Sequence, residues 1–132
     1  MTFKFGKRSR ENLAGIDSDL VLVAEQAILI TEIDFVVFEG RRTLQRQREL
    51  YAAGASRTLN SYHLTGDAMD LVPIFEGKVS WRESLFFPLA EAVKQAQIDV
   101  GVKINWGFDL WGWDMPHWQR LRRRPVVGTT VR

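Results

Sequence analysis

Two histidines, His63 and His117, and a complete lack of cysteine bound the chemistry open to this 132-residue chain. Without a thiol there is no disulfide, thiolate zinc site, iron–sulfur cluster or cysteine nucleophile, so any metal is held by His, Asp or Glu. His63 stands in Ser61-Tyr62-His63-Leu64-Thr65-Gly66-Asp67-Ala68-Met69-Asp70. It precedes a glycine-containing turn, and Asp70 lies on the strand that follows. On that strand Ala68, Asp70 and Val72 point one way and Met69 and Leu71 the other. A carboxylate among apolar strand residues is costly to bury unless a cation or several donors satisfy it. Zinc held by an imidazole and this carboxylate is one solution. Backbone N–H groups around Asp70, with His63 left exposed, are another.

The second segment reads Trp113-Asp114-Met115-Pro116-His117-Trp118. A tight or helical turn brings Asp114 and His117 to one side, and Pro116 restricts how that turn is built. A carboxylate beside a metal-bound imidazole serves as general base or orients the ring. The plainer alternative is a surface aspartate pairing with a neighbouring histidine. Taken together, two His and one Asp make a three-ligand catalytic zinc set with one position open to water, and Asp114 adds a carboxylate for proton transfer.

These residues need elements to hold them. Asp17 or Ser18 caps a helix carrying Leu20, Val23, Ala24, Ala27 and Ile28 at helical spacing. Asp34 to Phe38 is a buried strand ended by Gly40, and Thr43 caps a helix to about Ala53 with Gly54 as its stop. Residues 55–62 form a polar loop. Ala68 to Ile74 is a strand that turns through Glu76-Gly77-Lys78 into Val79. Ser80-Trp81-Arg82-Glu83 matches a capping box for a helix to about Val100, closed by Gly101. Pro88 either kinks that helix or restarts it. Lys103 to Trp106 and His117 to Leu121 complete the strands. Four of the five tryptophans lie between Trp106 and Trp118. Trp106 and Trp118 suit the core, whereas Trp111 and Trp113, on a glycine-rich loop, suit a substrate groove. The class is α+β: a small, mainly antiparallel sheet with helices packed on it and a single zinc site.

Length predicts one domain over 1–132, with a core at about 12–120 and basic ends at 1–10 and 120–132. The composition, 45% apolar and 26% charged, excludes disorder, collagen and filaments. No stretch is long enough to span a membrane, and no apolar run of a secretory signal follows the basic start. The ends hold half of the 18 basic residues and none of the 16 acids. Basic ends on an acidic body suit an anionic surface. Solvated, frayed termini are the alternative. The basic runs are short and lack interleaved aromatics, so a nucleic-acid partner is not expected.

S-x-H-x-x-G-x-A-x-D followed by D-x-x-H-W resembles the zinc D,D-peptidase and L-alanyl-D-glutamate endopeptidase family, which includes vancomycin-resistance D-Ala-D-Ala peptidases and small phage endolysins. The likeness also takes in Glu39-Gly40-Arg41-Arg42-Thr43, Gln47, Leu50-Tyr51, Trp106-Gly107 and Trp111, and covers about residues 12 to 120. It implies one zinc held by His63, Asp70 and His117, and Asp114 as catalytic base and then proton donor. It implies Arg42 as stabiliser of the oxyanion, with a purely structural ion pair as the alternative. Arg41 fills a variable position. Ser61 is a candidate to hydrogen-bond substrate or a ligand, or to cap its own loop. Tyr62, Asp67 and Gln119 depart from the family's common pattern, and Asp67 adds negative charge that would alter pH dependence.

The resemblance implies a peptidase of bacterial peptidoglycan stem peptides, a phage or prophage endolysin cutting L-alanyl-D-glutamate bonds. Such a protein is expected as a monomer, made in the host cytoplasm and reaching the wall once a holin releases it. Its basic ends would approach the anionic envelope, and Arg41, Arg57 or Arg82 would meet a substrate carboxylate. The alternatives are a D-alanyl-D-alanine carboxypeptidase or dipeptidase with the same zinc chemistry, and a non-catalytic wall-binding module. Zinc is expected from ligand type, although cobalt or manganese also suit two His and one Asp.

Overall fold

A computed structural model describes residues 2–121. The chain opens with helix α1 (Lys7–Ala14), where the sequence suggested only a basic end. Its sequence is too polar to announce itself, yet it is docked. The Ser9 hydroxyl accepts from the Val37 N–H at 3.0 Å, and the Asn12 amide donates to the Val37 carbonyl at 2.8 Å. Arg122, Arg123, Arg124 and Arg132 of the basic C-terminal end lie outside the described residues.

Helix α2 (Ser18–Ile30) begins at Asp17, whose carboxylate accepts from the Asp19 N–H. Its apolar stripe, with Leu20, Val23, Ala24 and Ala27 fully buried, packs on the long helix at Glu83–Val100. Strand β1 (Phe35–Glu39) follows, then helix α3 (Leu44–Ala52), capped by Thr43. A 3-10 turn (Tyr62–Thr65) crosses the loop that precedes strand β2 (Ala68–Phe75). Strand β3 (Lys78–Val79) hairpins onto β2, helix α4 (Glu83–Val100) covers the sheet, and strand β4 (Ile104–Trp106) leads into the short helix α5 (Gly107–Trp111). Strand β5 (His117–Arg120) is the last element among the described residues.

Two local expectations change. The capping box does not form: Ser80 is held in the hairpin by its N–H bond to the Pro73 carbonyl, and its hydroxyl accepts from the Arg82 N–H instead. Helix α4 therefore starts at Glu83 with no side-chain cap, and it runs through Pro88 without restarting. Trp111 ends a helix rather than sitting in a loop.

All strand pairs are antiparallel, in the order β1-β2-β5-β4 with β3 on β2. Sequence neighbours β4 and β5 pair, but β2 inserts β5 between itself and β4, so residues near 70 and near 117 become neighbours. Trp118, 1% exposed, stacks on Trp106 with rings 5.5 Å apart and 9° from parallel. These two anchor the core beneath the sheet, as expected of them. No helix among the described residues is long and apolar enough to cross a membrane.

Candidate metal centre and cleft

Strand register assembles the site. Asp70 on β2 lies opposite Glu39 on β1 and His117 on β5. Directly opposed residues share a sheet face, so the central carboxylate is flanked by an acid on one side and an imidazole on the other. The 3-10 turn delivers His63 from above. Ser61 shapes this turn, because its hydroxyl accepts from the His63 N–H at 3.1 Å. The turn closes on Gly66, which at φ 75° also packs against the Gly15 carbonyl where a side chain would clash.

Both rings are oriented by their far nitrogens. His63 Nδ1 lies 2.8 Å from the Gly40 carbonyl oxygen, which only accepts, so Nδ1 carries the proton and Nε2 faces Asp70 Oδ1 at 3.2 Å. His117 Nε2 donates to Gln119 Oε1 at 2.8 Å, leaving Nδ1 at 3.6 Å from the same Asp70 oxygen. One atom from each of His63, Asp70 and His117 falls within 4.8 Å of the others. When unprotonated, these two imidazole nitrogens and the carboxylate oxygen form a donor set that suits a divalent cation.

Burial alone raises the Asp70 carboxyl, but the charge and hydrogen bonds of His63 and His117 outweigh it and hold the group far below the usual carboxylate range. Burial pulls His117 down, but Asp70, Gln119 and Asp114 together outweigh it and raise the group above its usual value. Asp114 moves up, chiefly through burial, with the Asp70 charge reinforcing it against His117, His63 and Arg42. A carboxylate raised in this way is poised to take and return a proton.

Asp114 reaches this place by an uncommon backbone, with φ 60°. Its carbonyl accepts from the His117 N–H at 3.2 Å, closing the turn before β5. Gly107 makes room for it: a Cβ there would stand 2.6 Å from the Asp114 carbonyl oxygen and 3.1 Å from the His117 Cβ. Trp106 braces the same turn by donating Nε1–H to the Met115 carbonyl at 2.6 Å.

Arg42 is clamped. Its Nε and Nη2 donate to the two Glu39 carboxylate oxygens at 2.9 and 2.7 Å, and Nη1 donates to Gln47 Oε1 at 2.6 Å. Nη2 also lies 3.9 Å from Asp70 Oδ2, which fixes the guanidinium at the edge of the ligand cluster. Gln47 is completely buried, and its amide donates onward to Ser56 Oγ at 2.8 Å and the Thr58 carbonyl at 2.5 Å. Helix α3 thereby ties the arginine to the loop at 56–58.

A cleft of about 880 Å³ opens above these groups, with Arg42, His63, Asp70, Asp114 and His117 in its walls. Trp111 and Trp113 line it, 49% and 40% exposed, with the Trp111 ring 5.5 Å from the His117 ring. The Arg57 guanidinium lies 4.1 Å over the Trp113 ring and also faces the cleft, as does Arg46. Arg41 and Arg82 do not line it; the Arg82 guanidinium sits 5.0 Å over the Phe75 ring.

The family model for phage L-alanyl-D-glutamate peptidases matches residues 1–124. The chain belongs to this family. Among its relatives, the L-alanyl-D-glutamate peptidase of Escherichia phage T5 is 33% identical over 99% of this chain and 98% of its own length. The L-alanyl-D-glutamate peptidase of Listeria phage A118 is 29% identical over 90% of this chain, which spans only 43% of that longer protein. Among solved structures, the crystal structure of the Serratia marcescens L-Ala D-Glu endopeptidase ChiX superposes with a TM-score of 0.81. It is 40% identical, with 89% of this chain and 90% of that one covered.

Within this phage peptidase family member, then, the six residues His63, Asp70, His117, Asp114, Arg42 and Ser61 meet in one cleft. Ser61 spends its hydroxyl on the His63 backbone, the capping alternative of the sequence reading. Asp67 is absent from the cleft walls; it accepts from the Thr65 hydroxyl and pairs with Arg120 at 3.5 Å, which opposes the expectation of added negative charge in the site. The clamp of Glu39 and Gln47 and the bond from His117 to Gln119 carried no assigned role in the sequence. A signal did exist for the clamp, in an acid and a glutamine placed three before and five after Arg42.

Proposed function

We infer that this protein is a zinc peptidase acting on peptidoglycan, an endolysin that hydrolyses the amide between L-alanine and D-glutamate in the stem peptide. The observation that carries the reading is the convergence of three ligand atoms in the cleft beside a raised carboxylate and a fixed guanidinium. The family and its similarly named relatives support the bond. Zinc is supported by the spacing of the donors: tetrahedral ligands about 2.0–2.1 Å from an ion stand about 3.3 Å apart, and the Asp70 oxygen lies 3.2 and 3.6 Å from its two nitrogen neighbours.

His63 Nε2, His117 Nδ1 and Asp70 Oδ1 would hold the metal. Zinc supplies Lewis acidity there and makes a water nucleophile available near neutral pH. Asp114 takes the proton from the attacking water. Arg42 donates to the carbonyl oxygen as negative charge grows on it. The C–N bond then breaks, and Asp114 returns its proton to the departing D-Glu nitrogen. Trp111 and Trp113 wall the cleft around the peptide, and Ser61 acts by setting the His63 turn. A D-glutamyl residue carries a free carboxylate, and Arg57, in no ion pair among the described residues, suits it.

We place this chemistry in one domain that works as a monomer, made in the host cytoplasm and acting on the wall after release. Digesting purified sacculi with and without a chelator, read by mass spectrometry, tests the reading. Chelator-sensitive products with a free amino group on D-Glu are expected. Loss of terminal D-Ala instead would reassign the enzyme as a carboxypeptidase. Uncut sacculi with zinc-loaded protein would leave a wall-binding module.

A further inference from the structure

A second cavity, of about 320 Å³, adjoins the cleft. The two share Trp81, Trp113, Asp114 and Pro116 as walls, so they meet at the proposed base. Their chemistry differs. On one side of Asp114 the cleft carries Arg42, Arg46 and Arg57, with Glu39 already committed to Arg42. On the other side the smaller cavity is walled by Phe86, Phe108 and Met115, and Glu83 is its one charged side chain besides Asp114. Trp81 is 55% exposed although its ring is braced edge-on by Phe38 at 5.2 Å and lies 6.4 Å from Phe86. A fixed indole face thus looks into solvent. Glu83 is exposed, and its side chain has no hydrogen bond or ion pair among the described residues.

The substrate named above has the same asymmetry. The amine side of the cut bond is a D-glutamyl residue with a free carboxylate, which matches the arginine side. The carbonyl side is one alanine and then the lactyl ether of N-acetylmuramic acid, whose own carboxyl is consumed in the amide to alanine. That arm is uncharged. At about 3.3–3.6 Å per extended residue, the sugar begins within two residue lengths of the attacked carbon. Its C–H faces suit an aromatic platform, and its hydroxyl and acetamide N–H groups are donors for a carboxylate.

We propose that the pocket between Trp81, Trp113 and Glu83 is a subsite for the muramyl residue that carries the stem peptide, an assignment that rests on the peptidase reading. The subsite orients the substrate across the site, sugar toward Trp81 and D-Glu toward Arg57. The full chain, zinc-loaded, is assayed on two soluble substrates: an N-acetylmuramoyl tripeptide, and the same tripeptide N-acetylated at its L-alanine, which lacks the sugar but exposes no amine. The readout is the ratio of their kcat/KM values. Wild type is expected to favour the muramyl substrate about tenfold, the scale of one good aromatic contact. Trp81→Ala brings the ratio toward one, and Glu83→Ala, at an exposed position, lowers it as well. Reading a ratio removes any general loss of activity from the comparison. A wild-type ratio near one, or variants that keep the wild-type ratio, overturns the subsite alone. A wild type that cuts neither substrate overturns the peptidase reading and the subsite with it.

Discussion

Asp114 and Arg42 occupy the same cleft but are held in different ways, and their losses should differ accordingly. Asp114 is raised by burial, and its side chain makes no hydrogen bond or ion pair among the described residues, so Asp114→Asn should remove proton transfer and little else. A fall in kcat of about 10²- to 10⁴-fold is expected, with zinc stoichiometry by elemental analysis unchanged. Arg42 is clamped by Glu39 and Gln47. Arg42→Lys keeps the charge but loses the fork, and a drop in kcat of about 100- to 1,000-fold should follow. Gln119→Leu removes the acceptor of the His117 ring, and zinc affinity measured by competition with a chromophoric chelator should weaken about 10- to 100-fold. At this scale the sequence was legible where donor type is itself the chemistry: two histidines without cysteine leave few metal sets. Gln119 was opaque because its role depends on a side chain two residues along a strand, where any polar residue reads as ordinary.

The elements explain how such distant residues meet. The strand from Ala68 and the helix to Val100 were legible, since β-branched runs and helical spacing are local signals. Helix α1 was not, because in KRSRENLA only Ser9 and Leu13 are buried and its support comes from β1. Nor was α5, a five-residue helix that begins at Gly107, closes on Gly112 and packs against the turn at Asp114. The capping box failed for a related cause: the hairpin claims Ser80 first. Gly107 is the position where element packing and chemistry coincide. Gly107→Ala should push Asp114 and His117 aside and reduce kcat at least as much as it reduces stability, whereas Gly6→Ala, where a Cβ meets nothing within 4 Å, should leave kcat unchanged. Comparing the two variants by kinetics and thermal melting checks this.

For the whole molecule, the ligands join β2, β5 and the 3-10 turn, so a bound ion links segments that are otherwise held by sheet pairing and packing. Metal that binds only the folded state stabilises it by about 2.7 kcal/mol at 100 times its Kd. Chelation should therefore lower the melting temperature by several degrees while abolishing activity, and zinc should restore both. Charge acts over longer range. If the basic ends draw the protein to the envelope, raising salt should slow cleavage of intact sacculi and leave cleavage of a soluble muropeptide unaffected.

The two imidazoles present different atoms to the metal position, and this imposes a rule of reach. Nδ1 of His117 is as many bonds from Cβ as an aspartate oxygen, and Nε2 of His63 is as many as a glutamate oxygen. His117→Asp and His63→Glu would each keep a donor at its present depth, while the reverse exchange would miss by one bond. Made together, they would turn a mixed nitrogen–oxygen set into three carboxylates, which favour manganese or magnesium over zinc. This backbone is thus two substitutions from a centre for hard cations.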